Sequence, residues 1–128
     1  MGRTVGTQLA GNTILRVAVA AGTKICEGDI VVLNAQGYAV KADKAENLVA
    51  AGAAEENVDN TAGEDGAAHV KVQRGVFVLK NVGEIKETDL LKTCYFAGPD
   101  SVTLTASGSS AAGKVYAVDD ETVAVEMI

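Results

Sequence analysis

The chain has 128 residues, of which 48% are apolar, and its formal net charge is −6. This length is typical of one domain that can bury a core without disulfides or metals. Because the charge is negative and the 11 Lys and Arg residues form no stripe, the composition opposes phosphate backbones and anionic lipid, so neither nucleic acid nor a membrane is an expected partner.

The first segment, Met1 to Asn12, is rich in Gly and Thr and shows no sustained hydrophobic period. We interpret it as a flexible N-terminal arm that precedes a single β-domain over residues 13–128. Within the arm, Arg3, Gln8 and Asn12 offer hydrogen-bond donors to the polar surface of a partner. The arm lacks the apolar run of a signal peptide, which predicts synthesis in a compartment reached without export.

Alternating hydrophobicity predicts short strands along the rest of the chain. Leu15, Val17 and Val19 share one face of the first strand, which starts near Ile14. Farther on, the apolar runs Ile30–Leu33 and Tyr38–Val40 flank the short polar segment 34–37, which ends in glycine. Two such runs around an Asn/Gly turn predict a hairpin.

The middle of the chain gives weaker signals. Residues 41–56 are rich in Ala, Glu and Lys, which favour helix, yet Leu48–Gly52 also fits a short strand. We prefer the strand because the neighbouring segments are strands. Val58–Ala67 carries Asn, Asp and Gly residues, which predict a long exposed loop.

The strongest strand signal runs from His69 to Lys80. Val72 and Phe77 are an odd number of residues apart, so in a regular strand their side chains point to opposite faces. Both can face one core only if an extra residue interrupts the alternation between them. Gly75 lies between them and is the predicted site of a β-bulge.

Four further short strands complete the prediction. They cover Leu90–Phe96, Ser101–Ala106, Lys114–Val118 and Thr122–Met127. About eight short strands separated by regular turns predict an all-β fold, either a small β-sandwich or a barrel.

One segment echoes another. Ile25–Val31 (ICEGDIV) recurs sixty residues later as Ile85–Leu91 (IKETDLL), and each copy follows an alternating apolar strand. In both, an acidic side chain can bond its own backbone in a tight turn between strands. The echo indicates either pseudo-symmetry between two sheets or the recurrence of a favoured turn.

Two motifs suggest other functions. Gly108–Lys114 fits the start of a phosphate-binding loop, but Val115 replaces the hydroxyl residue that the metal needs and a strand follows, so we interpret the segment as a Gly/Ser loop. Lys44, after Glu27–Asp29, resembles the modified lysine of lipoyl carrier domains. A small lipoyl-like carrier or binding module, with Lys44 as the modified residue, is therefore the alternative function.

No catalytic, cofactor-binding or metal-binding residue is predicted, and we expect a protein that is not an enzyme. His69 is the only histidine and is expected on the exposed face of its strand. The acidic pairs and triplets fall in turns, where solvation is the default and weak calcium binding the alternative. Cys26 and Cys94 are predicted to be buried free thiols, since neither has a partner at metal or redox spacing.

Several pieces of the sequence, in order, resemble phage capsid cement or head decoration proteins. The stretch Ala54–Gly66, running on into Val70–Phe77, is similar to the middle of that family. The C-terminal part is similar through Asp89, Thr93–Tyr95, Gly113–Val115, Val118–Asp120 and Val123–Glu126. The ordered set covers most of the chain from about Val17 onward.

This resemblance implies a structural protein of a phage or prophage that decorates and stabilises the outside of the capsid. It would be made in the bacterial cytoplasm and end on the capsid exterior of the virion. The implied partners are the major capsid protein and further copies of the chain, as a trimer on the capsid. Arg3, Gln8 and Asn12 of the arm are the expected capsid-contacting residues, and no cofactor is implied.

Overall fold

The computed structural model describes residues 14–82 and 84–127 of the chain. The predicted arm, Met1–Asn12, lies outside the described residues, together with its three expected contact residues. Across the described residues the protein is all-β, which confirms the predicted fold class, although the strands outnumber the eight expected. The strands are β1 (Ile14–Ala18), β2 (Thr23–Ile25), β3 (Ile30–Leu33), β4 (Ala39–Lys41), β5 (Val49–Ala54), β6 (Val58–Asn60), β7 (His69–Gln73), β8 (Gly75–Asn81), β9 (Thr93–Phe96), β10 (Ser101–Thr103), β11 (Ala111–Val118) and β12 (Thr122–Met127).

The first half of the protein, residues 14–73, contains a five-stranded antiparallel sheet in the order β1-β7-β5-β3-β4. Beyond β1 the chain crosses to the far edge of this sheet, where Val19 forms a parallel bridge with Ala39 of β4. This bridge curls the sheet towards a closed ring. The short strands β2 and β6 pair with each other as a separate ribbon.

The second half, residues 75–127, forms a closed barrel in the order β10-β8-β12-β11-β9. Its ring is closed by the parallel pairing of β10 with β8, while the other neighbours are antiparallel. The longest pairing, between β12 and β8, shows alternating burial: in β12, Val123, Val125 and Met127 are buried and the residues between them are half-buried.

The two halves share one topology. Without the β2–β6 ribbon, each half has five strands. The neighbour order is β1-β7-β5-β3-β4 in the first half and β8-β12-β11-β9-β10 in the second. Numbered along the chain within each half, both orders are 1-5-4-2-3. Both rings also close through a parallel contact between the first strand, or its extension, and the third. The fold is therefore an internal duplication, which supports pseudo-symmetry as the origin of the sequence echo.

The echoed segments form the same turn in both halves. The Asp29 carboxylate accepts a hydrogen bond from the backbone N–H of Cys26 (2.9 Å), and the Asp89 carboxylate accepts one from that of Lys86 (2.8 Å). In each copy the aspartate N–H also donates back to the same residue's carbonyl. The isoleucines that precede the turns, Ile25 and Ile85, are both buried.

Two hydrophobic cores stabilise the halves. One lies within the first half and is formed by Val19, Ile25, Val31, Ala39, Ala51, Ala54, Val70 and Val72. The other fills the barrel around Phe96 and extends to Ile30 and Val32 on the opposite face of β3. Strand β3 therefore contributes alternate residues to both cores, which explains its continuous apolar sequence.

The predicted bulge at Gly75 is wrong. Gly75 is the first residue of β8, and β7 and β8 belong to different sheets, so the change of parity marks the passage from one half to the other. Val72 is buried in the first core, whereas Phe77 is partly buried against the second. Register irregularities instead occur beside Gly52 and Gly113.

Three other expectations need correction. The predicted loop Val58–Ala67 begins with strand β6, and its Asn60 is buried, with its side-chain amide donating to the carbonyls of Val19, Ala20 and Glu64. Only Thr93–Phe96 of the predicted strand Leu90–Phe96 is a strand, because a 3₁₀ turn (Glu87–Asp89) and two exposed leucines precede it. Cys26 is exposed, since it lies in the aspartate-capped turn and not in a strand.

Candidate functional site

The most distinctive surface of the described residues is a set of exposed apolar side chains on the outside of the barrel. Val78 is 68% exposed, Tyr116 57% and Leu91 70%. With the half-buried Ala124 they form a line across β8, β12, β11 and the segment before β9, which we call the apolar row. Exposed apolar groups that cluster in this way commonly mark interaction surfaces.

Strand register places these side chains side by side. Val78 pairs with Ala124, and Ala124 pairs with Ala117 across an irregularity that leaves Tyr116 as the extra residue of β11. On the far side of β11, the N–H of Leu91 donates to the carbonyl of Val115 (2.8 Å). Val123 and Val125 on either side of Ala124 are buried, as is Leu79 beside Val78, so Val78 and Ala124 face outward from their strands.

Charged groups flank the row, and most of them are already paired within the protein. The Lys80 ammonium lies 3.4 Å from the Asp100 carboxylate, and the Lys92 ammonium lies 2.8 Å from that of Asp89. The Lys114 ammonium donates to the Thr93 hydroxyl at 3.2 Å. The rim of the row is thus polar but close to locally neutral.

The duplicated half carries a different surface at the equivalent positions. Arg16 of β1 pairs with Lys71 of β7, as Val78 pairs with Ala124. Next to Lys71, the N–H of Glu55 donates to its carbonyl (2.8 Å). Arg16, Lys71 and Glu55 are all exposed. The pair Arg16–Lys71 of the first half is therefore charged where the pair Val78–Ala124 of the second half is apolar, although Ile14, Leu15 and Val49 of the first half are also exposed apolar residues.

Leu91, the fourth residue of the apolar row, has a strained backbone. The N–H of Gly28 donates to the carbonyl of Ala54, and that of Leu91 donates to the carbonyl of Val115. Both have a left-handed backbone, with φ of 90° at Gly28 and 68° at Leu91. Glycine adopts this region without cost, whereas a leucine is strained there.

Sequence reasoning missed the apolar row. One signal was present: Val76, Phe77, Val78 and Leu79 are apolar on both parities, so this strand cannot have one polar face.

The residues that the sequence did single out are dispersed. Arg3, Gln8 and Asn12 lie outside the described residues. Lys44 is exposed between β4 and β5, which pair with the two edges of β3 and not with each other, so its setting is not the tip of a hairpin. In the Gly108–Lys114 segment, the Ser110 hydroxyl binds the backbone of Ala45 and Leu48, which anchors the loop to the first half.

The remaining candidates have structural surroundings. His69 is exposed on its strand, as predicted. Cys94 is buried in the barrel, where desolvation raises the pKa of its thiol to about 11. Residues 14–82 and 84–127 contain no group of three or more His, Cys, Asp or Glu side chains able to hold a metal ion. Within the same residues, no helix has the length and apolar character needed to span a membrane.

A depression of about 630 Å³ opens at one end of the barrel. It is lined by Asn81, Ile85, Lys86, Glu87, Val118, Asp119 and Asp120. The Asn81 amide donates to the carbonyls of Ile85 and Asp119, so this side chain ties the turn before β9 to the turn between β11 and β12.

Comparison of the chain with known protein families, with curated proteins and with solved structures found no match.

Proposed function

We propose that this chain is a structural protein of a phage or prophage particle that decorates the outside of the capsid and stabilises it by binding major capsid subunits. The ordered resemblance of its sequence pieces to capsid cement proteins supports the proposal. So does the all-β fold, in which a five-stranded sheet and a closed barrel each present the outer faces of their strands.

The observation that carries the proposal is the apolar row on an otherwise charged protein. Val78, Tyr116 and Leu91 extend into solvent from a closed barrel, where short strands and backbone hydrogen bonds hold them in place. Exposed apolar side chains that cluster in this way favour a protein–protein contact. The net charge of −6 keeps such a surface away from packaged nucleic acid.

In this proposal the protein is made in the bacterial cytoplasm and is carried on the exterior of the virion. Its partner is the major capsid protein, with further copies of the chain, as a trimer, on the same shell. Arg3, Gln8 and Asn12 remain predicted capsid contacts of the arm. Deletion of residues 2–8, which removes Arg3 and Gln8, tests the arm, and we expect weaker binding at an unchanged melting temperature.

The direct test is co-sedimentation with capsid shells. Purified protein is mixed with expanded shells assembled from the major capsid protein encoded in the same genome, and the pelleted fraction and the melting temperature of the shells are measured. We expect saturable binding and shells that melt at a higher temperature. No binding to expanded shells, together with an added acyl group on Lys44 in the intact mass, would replace the proposal with the carrier alternative.

A further inference from the structure

We infer that residues 9–13 bind an open edge of β8 in the same chain, where they continue strand β1 as an antiparallel partner of β8. The inference concerns the segment that precedes the described residues, and it does not depend on the proposed function. It ends the arm at Gln8 and makes the residues after it part of the β-domain.

One edge of the segment formed by β7 and β8 has a gap between its neighbouring strands. On this edge β1 pairs with β7, and the last pair sets Ile14 opposite Gln73. Strand β10 pairs with β8 only from Lys80 onward, where Ser101 lies opposite Lys80. Residues 74–79 lie between these two neighbours, and no strand of the described residues pairs with them on this side.

Odd-numbered residues of β7 and β8 form their backbone hydrogen bonds on the side away from the gap. The carbonyl of Lys71 accepts a hydrogen bond (2.8 Å) from the N–H of Glu55, which follows β5. The N–H of Asn81 donates (2.9 Å) to the carbonyl of Glu121, which precedes β12. Because a strand changes its bonding side with every residue and only Arg74 separates β7 from β8, strands β5 and β12 line the same side of this segment.

Even-numbered residues bond on the side of the gap. The carbonyl of Ala68 accepts a hydrogen bond (2.9 Å) from the N–H of Val19, just after β1, and the N–H of Lys80 donates (2.8 Å) to the residue before β10. Between them, the N–H and C=O groups of Val76 and Val78 point to the open edge and have no partner there among the described residues. Unpaired backbone groups in a row are a template for another strand.

The chain that leads into β1 has the register needed to fill the gap. Strand β1 pairs antiparallel with β7 without a register shift. When this register is carried back along the sequence, Gly11 lies opposite Val76 and Leu9 lies opposite Val78. These two positions of β8 are the ones whose backbone groups face the open edge, so each N–H and C=O of the pairs gains a partner.

The side chains at these positions suit one another. Directly opposite residues of an antiparallel pair lie on the same face, so Leu9 covers part of Val78, which is 68% exposed. On the other face the small Ala10 lies opposite Phe77, which is half-buried. Leu9 thereby adds one apolar side chain to the apolar row.

The position of the segment favours the chain's own residues over those of a second copy. Ile14, to which the segment is joined, already lies beside the start of the gap. The contact is therefore intramolecular and has the high effective concentration that a short connection provides. At Lys80 the strand β10 occupies the edge, so the pairing cannot extend to Thr7, which the same register sets opposite Lys80. Residues 1–8 are left to reach a partner.

The test is amide hydrogen exchange of the full chain and of two truncated variants. We expect the N–H groups of Val76 and Val78 to exchange about tenfold or more slowly in the parent than in a variant that lacks residues 2–12. Deletion of residues 2–8 is the matched control and should keep the slow exchange, because residues 9–13 remain. Equal exchange at both valines in the parent and in the variant without residues 2–12 would overturn the inference.

A pair of proline variants tests the register. Gly11→Pro removes an N–H that points at β8, whereas Ala10→Pro removes one that points away from it. We expect Gly11→Pro to speed the exchange of the Val76 amide and Ala10→Pro to leave it as in the parent. Equal effects of the two prolines, or the reverse order, would contradict the pairing of Gly11 with Val76.

Sedimentation equilibrium identifies the chain that supplies the segment. Slow exchange at Val76 and Val78 in a monomeric parent supports the intramolecular pairing. Slow exchange that is present only in a dimer, and is lost on dilution, would assign the edge to the segment of a second copy and overturn the inference. None of these measurements involves capsid shells, so their result is separate from the test of the proposed function.

Discussion

Gly52 and Gly113 occupy equivalent positions in the two halves, and each lies directly against a carbonyl of the neighbouring strand. A Cβ on Gly52 would lie 2.1 Å from the carbonyl oxygen of Gln73, and one on Gly113 would lie 2.3 Å from that of Glu126. The next contacts, with Val72 and Val125, are also equivalent. Both halves therefore need a residue without a side chain where the fourth strand, β5 or β11, lies against the fifth, β7 or β12.

This close approach predicts that Gly52→Ala and Gly113→Ala each destabilise the protein by roughly 1–3 kcal/mol, because a backbone carbonyl must move to admit the methyl group. The midpoint of urea unfolding measures the loss. Gly22→Ala is the control, since Gly22 also has a positive φ (70°) but a Cβ at this position would have no other atom within 4 Å. A loss at Gly22 as large as at the other two would show that backbone conformation, and not the close contact, decides the cost.

The strands that alternate strictly were predictable from the sequence. The bounds of β12, Thr122–Met127, agree with the prediction, and the hairpin of β3 and β4 forms around its Asn/Gly turn. Alternation reports which faces are buried in one strand, and here that information was sufficient. It does not report which sheet a strand joins, and for that reason the parity change at Gly75 was interpreted as a bulge.

The duplication and the apolar row were beyond sequence reasoning for a related reason. Only the aspartate-capped turn keeps a similar sequence in both halves, while strand positions such as Arg16 and Val78 differ in chemistry. Their equivalence lies in the register of the strands, which depends on contacts between distant segments. Leu91 was expected within a strand, whereas its exposure follows from the turn that precedes β9.

The two phenylalanines should differ in their contribution to stability. Phe96 is fully buried in the barrel core, and Phe96→Ala should cost about 3–5 kcal/mol because of the cavity that it leaves. Phe77 is only partly buried, so Phe77→Ala should cost less than Phe96→Ala. Chemical unfolding of both variants gives the comparison. An equal or larger loss for Phe77→Ala would mean that Phe77, and not Phe96, is the main aromatic residue of this core.

The two cysteines should react at very different rates. Cys26 is exposed, whereas Cys94 is buried and its thiol has a pKa raised to about 11, so Cys94 carries little of the reactive thiolate at neutral pH. We expect a thiol reagent to modify one cysteine rapidly in the folded protein and both after denaturation. Cys26→Ser should abolish the rapid reaction, and Cys94→Ser should leave it unchanged. Rapid modification of folded Cys26→Ser would contradict the burial of Cys94.

The capped turn before β9 should give the stability a pH dependence that is centred on Asp89. Its carboxylate accepts a hydrogen bond from the Lys92 ammonium (2.8 Å) and one from the Lys86 N–H (2.8 Å), and these bonds lower the pKa of Asp89 below its usual value of 3.8. A carboxyl group whose pKa is lower in the folded state than in the unfolded state adds stability above the unfolded value. That contribution is lost as the pH falls through the folded pKa.

The variant Asp89→Asn isolates this contribution. We expect it to be less stable than the parent by a constant amount between about pH 5 and pH 7, and the difference to shrink below 3.8 as the parent carboxyl becomes protonated. Urea unfolding across this range measures the difference between the two proteins. Glu87→Gln, in the same turn, is the charge-matched control and should follow the parent at every pH. The difference in unfolding free energy between Asp89→Asn and the parent could instead stay constant down to the lowest pH. That result would show that Asp89 acts through its shape in the turn, and not through its charge.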